Sequence, residues 1–309
     1  MAKQTKQAVK AEKLRADLAA VEAKAAEKVT TSAQRLADRL SVHEGFDLAA
    51  IDPDSSPGFS GRKVDGEAAL AAGVERLGDL QEKLWAQSRS GDRRSILLVV
   101  QGMDTSGKGG IMRHVVGSVD PQGVRHTAFK APTPAEREHD FLWRIRNALP
   151  SAGQIGVFDR SHYEDVLVVR VHDLVPKATW SRRYAAINRF EASVVKAGTT
   201  IVKVMLHISR DEQKVRLTER LDNPAKHWKY NPRDVDERGF WDAYQEAYQA
   251  ALTKCSPMSA RWHVVPADKK WYARWAVQQL LIDALEEVDP QWPAATFDVE
   301  AEKARLAAS

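Results

Sequence analysis

A glycine-rich segment in the first half of the chain carries the clearest chemistry in the sequence. Gly102, Gly107 and Lys108 have the spacing G-x-x-x-x-G-K, which is typical of loops that bind phosphate. In such a loop, backbone N–H groups face phosphoryl oxygens, the following helix N-terminus adds about half a positive charge, and the lysine neutralises negative charge. The other residues assigned to this predicted phosphate-binding loop are Thr105, Ser106, Gly109 and Gly110.

Two residues of the loop depart from the usual pattern. Gly109 occupies the position after the lysine, where Ser or Thr would bind magnesium, and Asp104 places a carboxylate inside the loop. That carboxylate would repel a phosphate unless a cation lay between them. Both departures are explained if Asp104 has taken over as metal ligand, so the sequence predicts Mg²⁺ here, with Mn²⁺ as an alternative ion. The other interpretation is a tight turn with a capping aspartate and an exposed lysine.

A second acidic residue follows a short apolar segment. Residues 154–158 are predicted to form a strand, and Asp159 and Arg160 come directly after it. At the carboxyl end of a parallel strand, the Asp159 carboxylate would lie beside the loop and complete the magnesium site. Arg160 adds a planar cation suited to bidentate contact with the transferring phosphate. The alternative for Arg160 is a salt bridge to a nearby acid.

Basic side chains are concentrated in residues 209–234, where seven Lys or Arg accompany five Asp or Glu. Arg216 and Arg220 lie one helical turn apart and therefore face the same way. In a phosphate-transfer protein this segment predicts a mobile lid, whose two arginines would close over the donor. A solvated helix held by i,i+4 ion pairs is the alternative.

The elements that would position these residues alternate along the chain. Residues 96–100 are all apolar and predict a strand buried on both faces. Further strands are predicted at 124–129, 154–158, 199–208 and 262–266, and helices at 67–88, 133–149, 178–197, 236–253 and 269–288. This alternation predicts an α/β fold whose parallel sheet is covered by helices on both faces. Residues 1–45 read as a helical N-terminal extension, and residues 46–309 as the catalytic domain.

Composition excludes several classes of protein. Hydrophobic content is 43% and charged content 28%, which is ordinary for a globular protein. No apolar run approaches the roughly 18 residues of a membrane span, so no membrane partner is expected. The single cysteine, Cys255, excludes an internal disulfide framework and fits a reducing cytoplasm. The net charge of +4 is compatible with a polyanionic substrate.

These motifs, taken in order, resemble the polyphosphate kinase 2 family. The matching segments are residues 102–110, 158–167, 169–171, 212–229 and 262–272. The likeness extends from Phe46 to Leu285 and does not include the first 45 residues. Within the family, the sequence around Asp159 and at the start of the lid segment looks most like that of the group that accepts both AMP and ADP.

The resemblance implies a three-layer P-loop kinase-like fold similar to thymidylate kinase, with a five-stranded parallel sheet and a helical lid. It also implies Mg²⁺-dependent phosphoryl transfer between inorganic polyphosphate and an adenine or guanine nucleotide. Arg170 is carried over from the family motif as a further phosphate contact. The resemblance further suggests a homo-oligomer.

Two other functions remain open from the sequence. An ATP-dependent nucleoside or nucleotide kinase of P-loop fold is the first, although such loops usually keep the hydroxyl that Gly109 lacks. A non-enzymatic nucleotide switch or nucleic-acid-binding module is the second. Because the basic residues cluster in the predicted lid and loop rather than in a basic arm, no nucleic acid partner is expected.

Overall fold

A computed structural model describes residues 36–309. Five parallel strands form one sheet in the order β2-β3-β1-β4-β5. The strands are β1 (Ser95–Gly102), β2 (Val124–Ala128), β3 (Ile155–Asp159), β4 (Thr199–His207) and β5 (Trp262–Pro266). The predicted five-stranded parallel sheet is therefore confirmed.

Helices cover both faces of the sheet. They are α1 (Lys63–Ser88), α2 (Lys108–His114), α3 (Pro134–Arg137), α4 (Trp143–Ala148), α5 (Val168–Val171), α6 (Lys177–Lys196), α7 (Arg210–Asp222), α8 (Arg233–Glu237), α9 (Trp241–Lys254), α10 (Lys270–Val288) and α11 (Val299–Ala307). A 3-10 helix, Pro224–Lys229, lies between α7 and α8. In the part of the chain described, we find no helix whose length and apolar content would let it cross a membrane.

The central strand β1 is buried along its whole length, as its apolar sequence predicts. Its side chains alternate between two hydrophobic cores. Leu98 points into the core that contains α1 and α10, whereas Leu97 points into the core that contains α6 and α9. Val100 of β1 is paired with Asp159 of β3. Because the two strands are parallel, the loop after β1 and the turn after β3 emerge at the same edge of the sheet.

The N-terminal residues described here belong to the body of the protein. Residues 36–40 form a helical turn, and Leu36 and Leu40 are buried in the core with α1 and α10. Ser41 forms a β-bridge with His263 of β5. Most of the predicted helical extension, residues 1–35, lies outside the described residues, and the boundary near residue 45 stays a prediction.

The prediction of one helix over residues 133–149 is wrong. Thr133 caps α3 as expected, but the helix ends after Arg137, and α4 begins only at Trp143. Between them, the Asp140 carboxylate accepts a hydrogen bond from the backbone N–H of Leu142, at 2.9 Å. Aspartate bonds of this kind compete with helical backbone bonds, which explains the interruption.

Candidate active site

The glycine loop connects β1 to α2. Gly102 has φ +154°, and a Cβ at this position would lie 2.8 Å from the backbone oxygen of Leu206, so only glycine fits. Gly107 has φ +115° and caps the N-terminus of α2. Thr105 adopts φ +63°, an uncommon conformation for a residue other than glycine. These constraints bend the loop tightly around the position of Lys108.

The Lys108 ammonium lies inside this bend. Its Nζ donates hydrogen bonds to the backbone oxygens of Gly102, at 2.7 Å, and Met103, at 3.1 Å. Burial lowers the pKa of Lys108 below its ordinary value, and the nearby Asp104 carboxylate acts in the opposite direction. The lysine is therefore held in the loop by carbonyl groups that a phosphate could replace.

Asp104 and Arg160 meet in the cleft. Arg160 Nη2 donates to Asp104 Oδ1 at 3.0 Å, so the salt bridge considered for Arg160 is present. Arg160 has φ +62°, and its backbone N–H bonds to Val100 O at 3.1 Å, which fixes the turn after β3 against β1. Burial acts to lower the pKa of Arg160, but the Glu164 and Asp104 carboxylates outweigh it and raise that pKa. The guanidinium is thus a permanent cation.

Asp159 shares a cavity with the glycine loop. This cavity, which we call the basic cavity, has a volume of about 670 Å³ and is lined by Asp104, Lys108 and Asp159 among others. Its Lys and Arg side chains are Lys108, Arg113, Arg216, Arg220, Lys226, Lys229, Lys270 and Arg274. Among residues 36–309, only Asp104 and Asp159 contribute carboxylates to its lining. Such a surplus of cations is suited to a polyanion.

A smaller cavity, which we call the second cavity, meets the basic cavity at Asp104. Its volume is about 210 Å³, and Asp104, Arg160, Glu164, Tyr244 and Tyr248 contribute to its wall. The other lining residues are Gly102, Met103, Leu167, Val168, Gln213, Asn231, Arg233, Asp234 and Glu237. Burial raises the pKa of Tyr248 well above its ordinary value, so its hydroxyl remains a neutral hydrogen-bonding group.

Two carboxylates, rather than a larger cluster, are available for a metal ion. Among residues 36–309, no group of three or more His, Cys, Asp or Glu side chains is arranged to hold one. Mg²⁺ commonly uses one or two carboxylates, with substrate phosphates and water completing its coordination. The hydroxyl oxygens of Thr105 and Ser106 are buried without a hydrogen-bond partner within the described chain. The donor set of Asp104 and Asp159 therefore fits Mg²⁺ together with a phosphate substrate.

Arg216 occupies a different position from the mobile lid cation that the sequence suggested. It is 4% exposed, and its guanidinium donates to the backbone oxygens of Thr105 (2.9 Å), Ala267 (2.5 Å) and Asp268 (3.0 Å). Its Nε also bonds to Glu212 at 2.7 Å. Ser209 caps the N-terminus of α7 by accepting a hydrogen bond from the Glu212 N–H. The buried arginine connects this helix to the glycine loop through Thr105 O.

Arg220 is more exposed but also engaged. Its Nη1 donates to Lys229 O at 3.0 Å and to Asp234 Oδ2 at 3.1 Å. Trp228, in the 3-10 helix between α7 and α8, is 79% exposed at the mouth of the basic cavity. The predicted lid segment thus lies over the basic cavity, with Arg220 at its wall.

Arg170 is not brought to the cleft. It lines neither cavity, and its guanidinium lies 5.1 Å from the ring centroid of Trp180 and 3.6 Å from the Glu246 carboxylate. The position follows from α5, which directs Arg170 towards α6 and α9. The structure therefore does not support the phosphate contact that the family resemblance implied for this residue.

Some lining residues escaped the sequence reasoning. Arg113, Lys270 and Arg274 contribute cations to the basic cavity, and Glu164 contributes a carboxylate to the second cavity. Lys270 and Arg274 are one turn apart on α10, a spacing that places both on one face. That spacing predicts a basic face on α10. It does not show that this face lies beside the glycine loop, because α10 is far from the loop in sequence.

Fold and site together define a class of protein. A glycine loop after the central strand of a parallel sheet, with a carboxylate ending the neighbouring strand, is the arrangement of P-loop kinase-like α/β phosphotransferases. Residues 62–293 match the family model described as Polyphosphate kinase 2 (PPK2). The chain belongs to the polyphosphate kinase 2 family.

Relatives and solved structures agree with this membership. The chain is 46% identical over 255 residues to an AMP/ADP-polyphosphate phosphotransferase of Meiothermus ruber, covering 82% of this chain and 94% of the relative. It is 39% identical over 281 residues to an ADP-polyphosphate phosphotransferase of Rhodopseudomonas palustris, covering 87% of this chain and 94% of that relative. A crystal structure of polyphosphate kinase 2 from Arthrobacter aurescens TC1 superposes with a TM-score of 0.88 at 58% identity, covering 90% of this chain and 98% of that one.

Proposed function

We propose that this protein transfers phosphoryl groups between inorganic polyphosphate and AMP or ADP, forming ADP or ATP with Mg²⁺. The observation that carries the proposal is the position of Asp104. It lies where a strongly basic cavity meets a smaller cavity with carboxylates and tyrosines, and it is paired with Arg160. A donor polyanion and a nucleotide acceptor could therefore meet beside one carboxylate. The family membership and the names of the relatives support the same substrates.

The basic cavity is the better site for polyphosphate. Eight Lys and Arg side chains face two carboxylates in the basic cavity, whereas four carboxylates outnumber two arginines in the second cavity. A long polyanion would be repelled by the second cavity, but a nucleoside with hydroxyl and ring nitrogen groups would find hydrogen-bonding partners there. We therefore place the nucleotide in the second cavity, with its phosphates directed towards Asp104.

The chemistry requires no tuned general base. A terminal phosphate oxygen of the nucleotide forms a bond to the end phosphorus of the polyphosphate. The bond from that phosphorus to the next bridging oxygen breaks, and the shortened chain leaves with the electron pair. Since the attacking oxygen is already ionised, the protein's task is positioning and neutralisation of charge. Lys108 would contact the phosphoryl oxygens, and Arg160 would contact the transferring group.

Asp104 and Asp159 would hold the metal ion. When bound, Mg²⁺ would offset negative charge on the phosphoryl oxygens between donor and acceptor. Mn²⁺ would substitute because it also accepts carboxylate and phosphate ligands. The unpartnered hydroxyls of Thr105 and Ser106 offer further polar contacts in the same loop.

A donor assay tests the proposal directly. Purified protein is incubated with AMP or ADP and Mg²⁺, with polyphosphate or ATP as the sole phosphoryl donor. We expect ADP and ATP to form from polyphosphate, and Lys108→Met protein purified in parallel to form neither. Product that depends on ATP alone would overturn the proposal in favour of an ATP-dependent kinase. Nucleic acid binding without any phosphotransfer would overturn it in favour of a binding module.

We further propose that the protein acts in the cytoplasm as a homo-oligomer. The buried single thiol of Cys255 is compatible with a reducing compartment. The oligomer is inferred from the family resemblance, and analytical ultracentrifugation would test it by giving the mass of the particle. A monomer at assay concentration would contradict this part of the proposal.

A further inference from the structure

An ion pair lies fully buried behind the active-site turn. Lys203 of β4 is 0% exposed and Glu191 of α6 is 1% exposed, and Lys203 Nζ lies 2.6 Å from Glu191 Oε2. The same Nζ donates to the Tyr163 hydroxyl oxygen at 3.0 Å and to Cys255 O at 2.7 Å. All three donors of the ammonium are therefore used.

The second oxygen of Glu191 reaches the turn that follows β3. Glu191 Oε1 accepts a hydrogen bond from the Tyr163 hydroxyl at 2.8 Å and lies 3.1 Å from His162 Nε2. Tyr163 thus bridges Lys203 and Glu191, accepting from one and donating to the other. His162 and Tyr163 are both buried, and they follow Arg160 by two and three residues.

The turn held in this way contains the active-site arginine in a strained conformation. Arg160 has φ +62°, and a residue in this region keeps its conformation only when its surroundings determine it strongly. On the cleft side, Gln101 Nε2 donates to Glu164 Oε1 at 3.0 Å. On the opposite side, Tyr163 and His162 are fixed by Glu191. The turn is therefore clamped from both sides.

The buried network does not line either cavity. Neither Lys203, Glu191 nor Tyr163 is part of the wall of the basic cavity or of the second cavity. Any effect on phosphoryl transfer is therefore indirect, and the turn is a short route to the site because Tyr163 follows Arg160 by three residues. Stability alone gives little reason for such a network, since a buried ion pair is often no more stable than apolar residues of the same volume. Hydrogen bonds to His162 and Tyr163, by contrast, are directional and define where the turn lies.

We propose that Lys203, Glu191 and Tyr163 are positioning residues, which hold the turn after β3 so that Arg160 meets Asp104 and the transferring phosphate. The proposal rests on the proposed phosphotransfer function. Tyr163 is the best residue to mutate, because Tyr163→Phe removes only one hydroxyl group. It leaves Lys203 paired with Glu191 and keeps the ring, whose centroid lies 4.6 Å from that of Trp262.

A double-mutant cycle tests positioning through Arg160. We expect Tyr163→Phe to lower kcat by about tenfold, because small displacements of a reacting group are costly, while KM for polyphosphate changes less than twofold. In an Arg160→Ala background, Tyr163→Phe should have almost no further effect. Tyr272→Phe is the matched control. It removes another buried hydroxyl, which bonds to Pro57 O at 2.7 Å on the other side of the sheet, and should leave kcat unchanged.

Two results would overturn the proposal. One is an equal loss of kcat from Tyr163→Phe in both backgrounds, and the other is wild-type kcat in Tyr163→Phe.

Hydrogen exchange gives a readout independent of turnover. The Arg160 amide, bonded to Val100 O, should exchange faster in Tyr163→Phe than in wild type or Tyr272→Phe, and unchanged exchange would count against positioning. Absence of wild-type turnover with polyphosphate would instead count against the proposed function, with the exchange experiment still deciding the positioning.

Discussion

Arg160 Nη2 and Asp104 Oδ1 lie 3.0 Å apart, so the residue after β3 and the residue two positions after β1 form an ion pair across the cleft. The pair joins one nitrogen of the guanidinium to one oxygen of the carboxylate. Because only Nη2 of Arg160 and Oδ1 of Asp104 take part, the second carboxylate oxygen would be left for a metal ion and the other N–H groups of Arg160 for a phosphoryl oxygen. The proposed metal ligand and the proposed phosphate-binding cation therefore lie side by side in the cleft.

Replacement of Arg160 by lysine tests whether the positive charge alone is enough, or whether the planar guanidinium group is also needed. Lysine keeps the positive charge but cannot form a bidentate contact with phosphate. We expect Arg160→Lys to lower kcat by about a hundredfold, comparable to the loss of one donor to a developing charge. Steady-state kinetics with polyphosphate and ADP measure this. Arg182→Lys, an exposed replacement on α6, is the control, and equal rates for both variants would argue against a role for Arg160 at the phosphate.

Arg216 should matter more for stability than Arg220. Arg216→Lys would leave several buried backbone oxygens around Thr105, Ala267 and Asp268 without their donors, at a cost of about 1–3 kcal/mol for each unsatisfied group. Arg220→Lys affects a more exposed contact with Asp234 and should cost less. Urea denaturation of the two variants compares their free energies of unfolding. A larger loss for Arg220→Lys would show that the buried contacts of Arg216 contribute little.

The decrease of kcat/KM for polyphosphate at high pH should follow the deprotonation of Lys108. Burial lowers the pKa of Lys108 in the free enzyme, so its ammonium loses its proton below the ordinary lysine pKa of about 10.4. Because the proposed contact with phosphate needs the charged form of Lys108, kcat/KM for polyphosphate should fall as the pH rises through that lowered pKa. In Lys108→Arg, measured with excess enzyme, this decrease should move to higher pH. An unshifted decrease would assign it to another group.

Polyphosphate binding should weaken steeply with salt. A linear polyanion releases counterions when cations of the basic cavity bind it, so log K should fall linearly with log salt concentration. Arg274→Gln removes one cation from that cavity and should reduce the slope by about 1. Binding of long-chain polyphosphate is measured with Lys108→Met protein, which we expect to be inactive, as the parent. Lys177→Gln, an exposed replacement outside the cavity, should keep the parental slope, and a flat salt profile would contradict a polyanion channel.

Local sequence patterns predict the parallel sheet and the edge at which the candidate site lies. An apolar run before Gly102 and another before Asp159 predicted parallel strands, and parallel strands present their carboxyl ends at one edge. Local patterns of this kind do not depend on distant contacts. The same patterns predict that the glycine loop, Asp104, Lys108 and Asp159 lie at this edge, and the structure places them around one cavity.

Residues whose role depends on tertiary packing were harder to predict. Arg216 belongs to a helix that could face solvent, and only its packing against the glycine loop shows that it is buried. Arg274 reaches the cavity from α10, more than 160 residues after the loop. The break at Asp140 depends on one side-chain hydrogen bond that competes with the helix. The contacts of Arg216 and Arg274 are with residues far away in the sequence, which a local pattern does not show. For Asp140, the local sequence allows both a continuous helix and the hydrogen bond that interrupts it.

The magnesium dependence of two carboxylate variants tests the central claim most directly. Initial rates of ATP formation from ADP and polyphosphate are measured across a Mg²⁺ titration for wild type, Asp104→Asn, Asp159→Asn and, as control, Glu82→Gln on the exposed side of α1. We predict that EDTA abolishes wild-type turnover, and that each Asn variant, still folded by circular dichroism, is slower by about a thousandfold at saturating Mg²⁺. Glu82→Gln should match wild type. Wild-type rates in either Asn variant, or turnover that persists in EDTA, would contradict a metal ion held by Asp104 and Asp159.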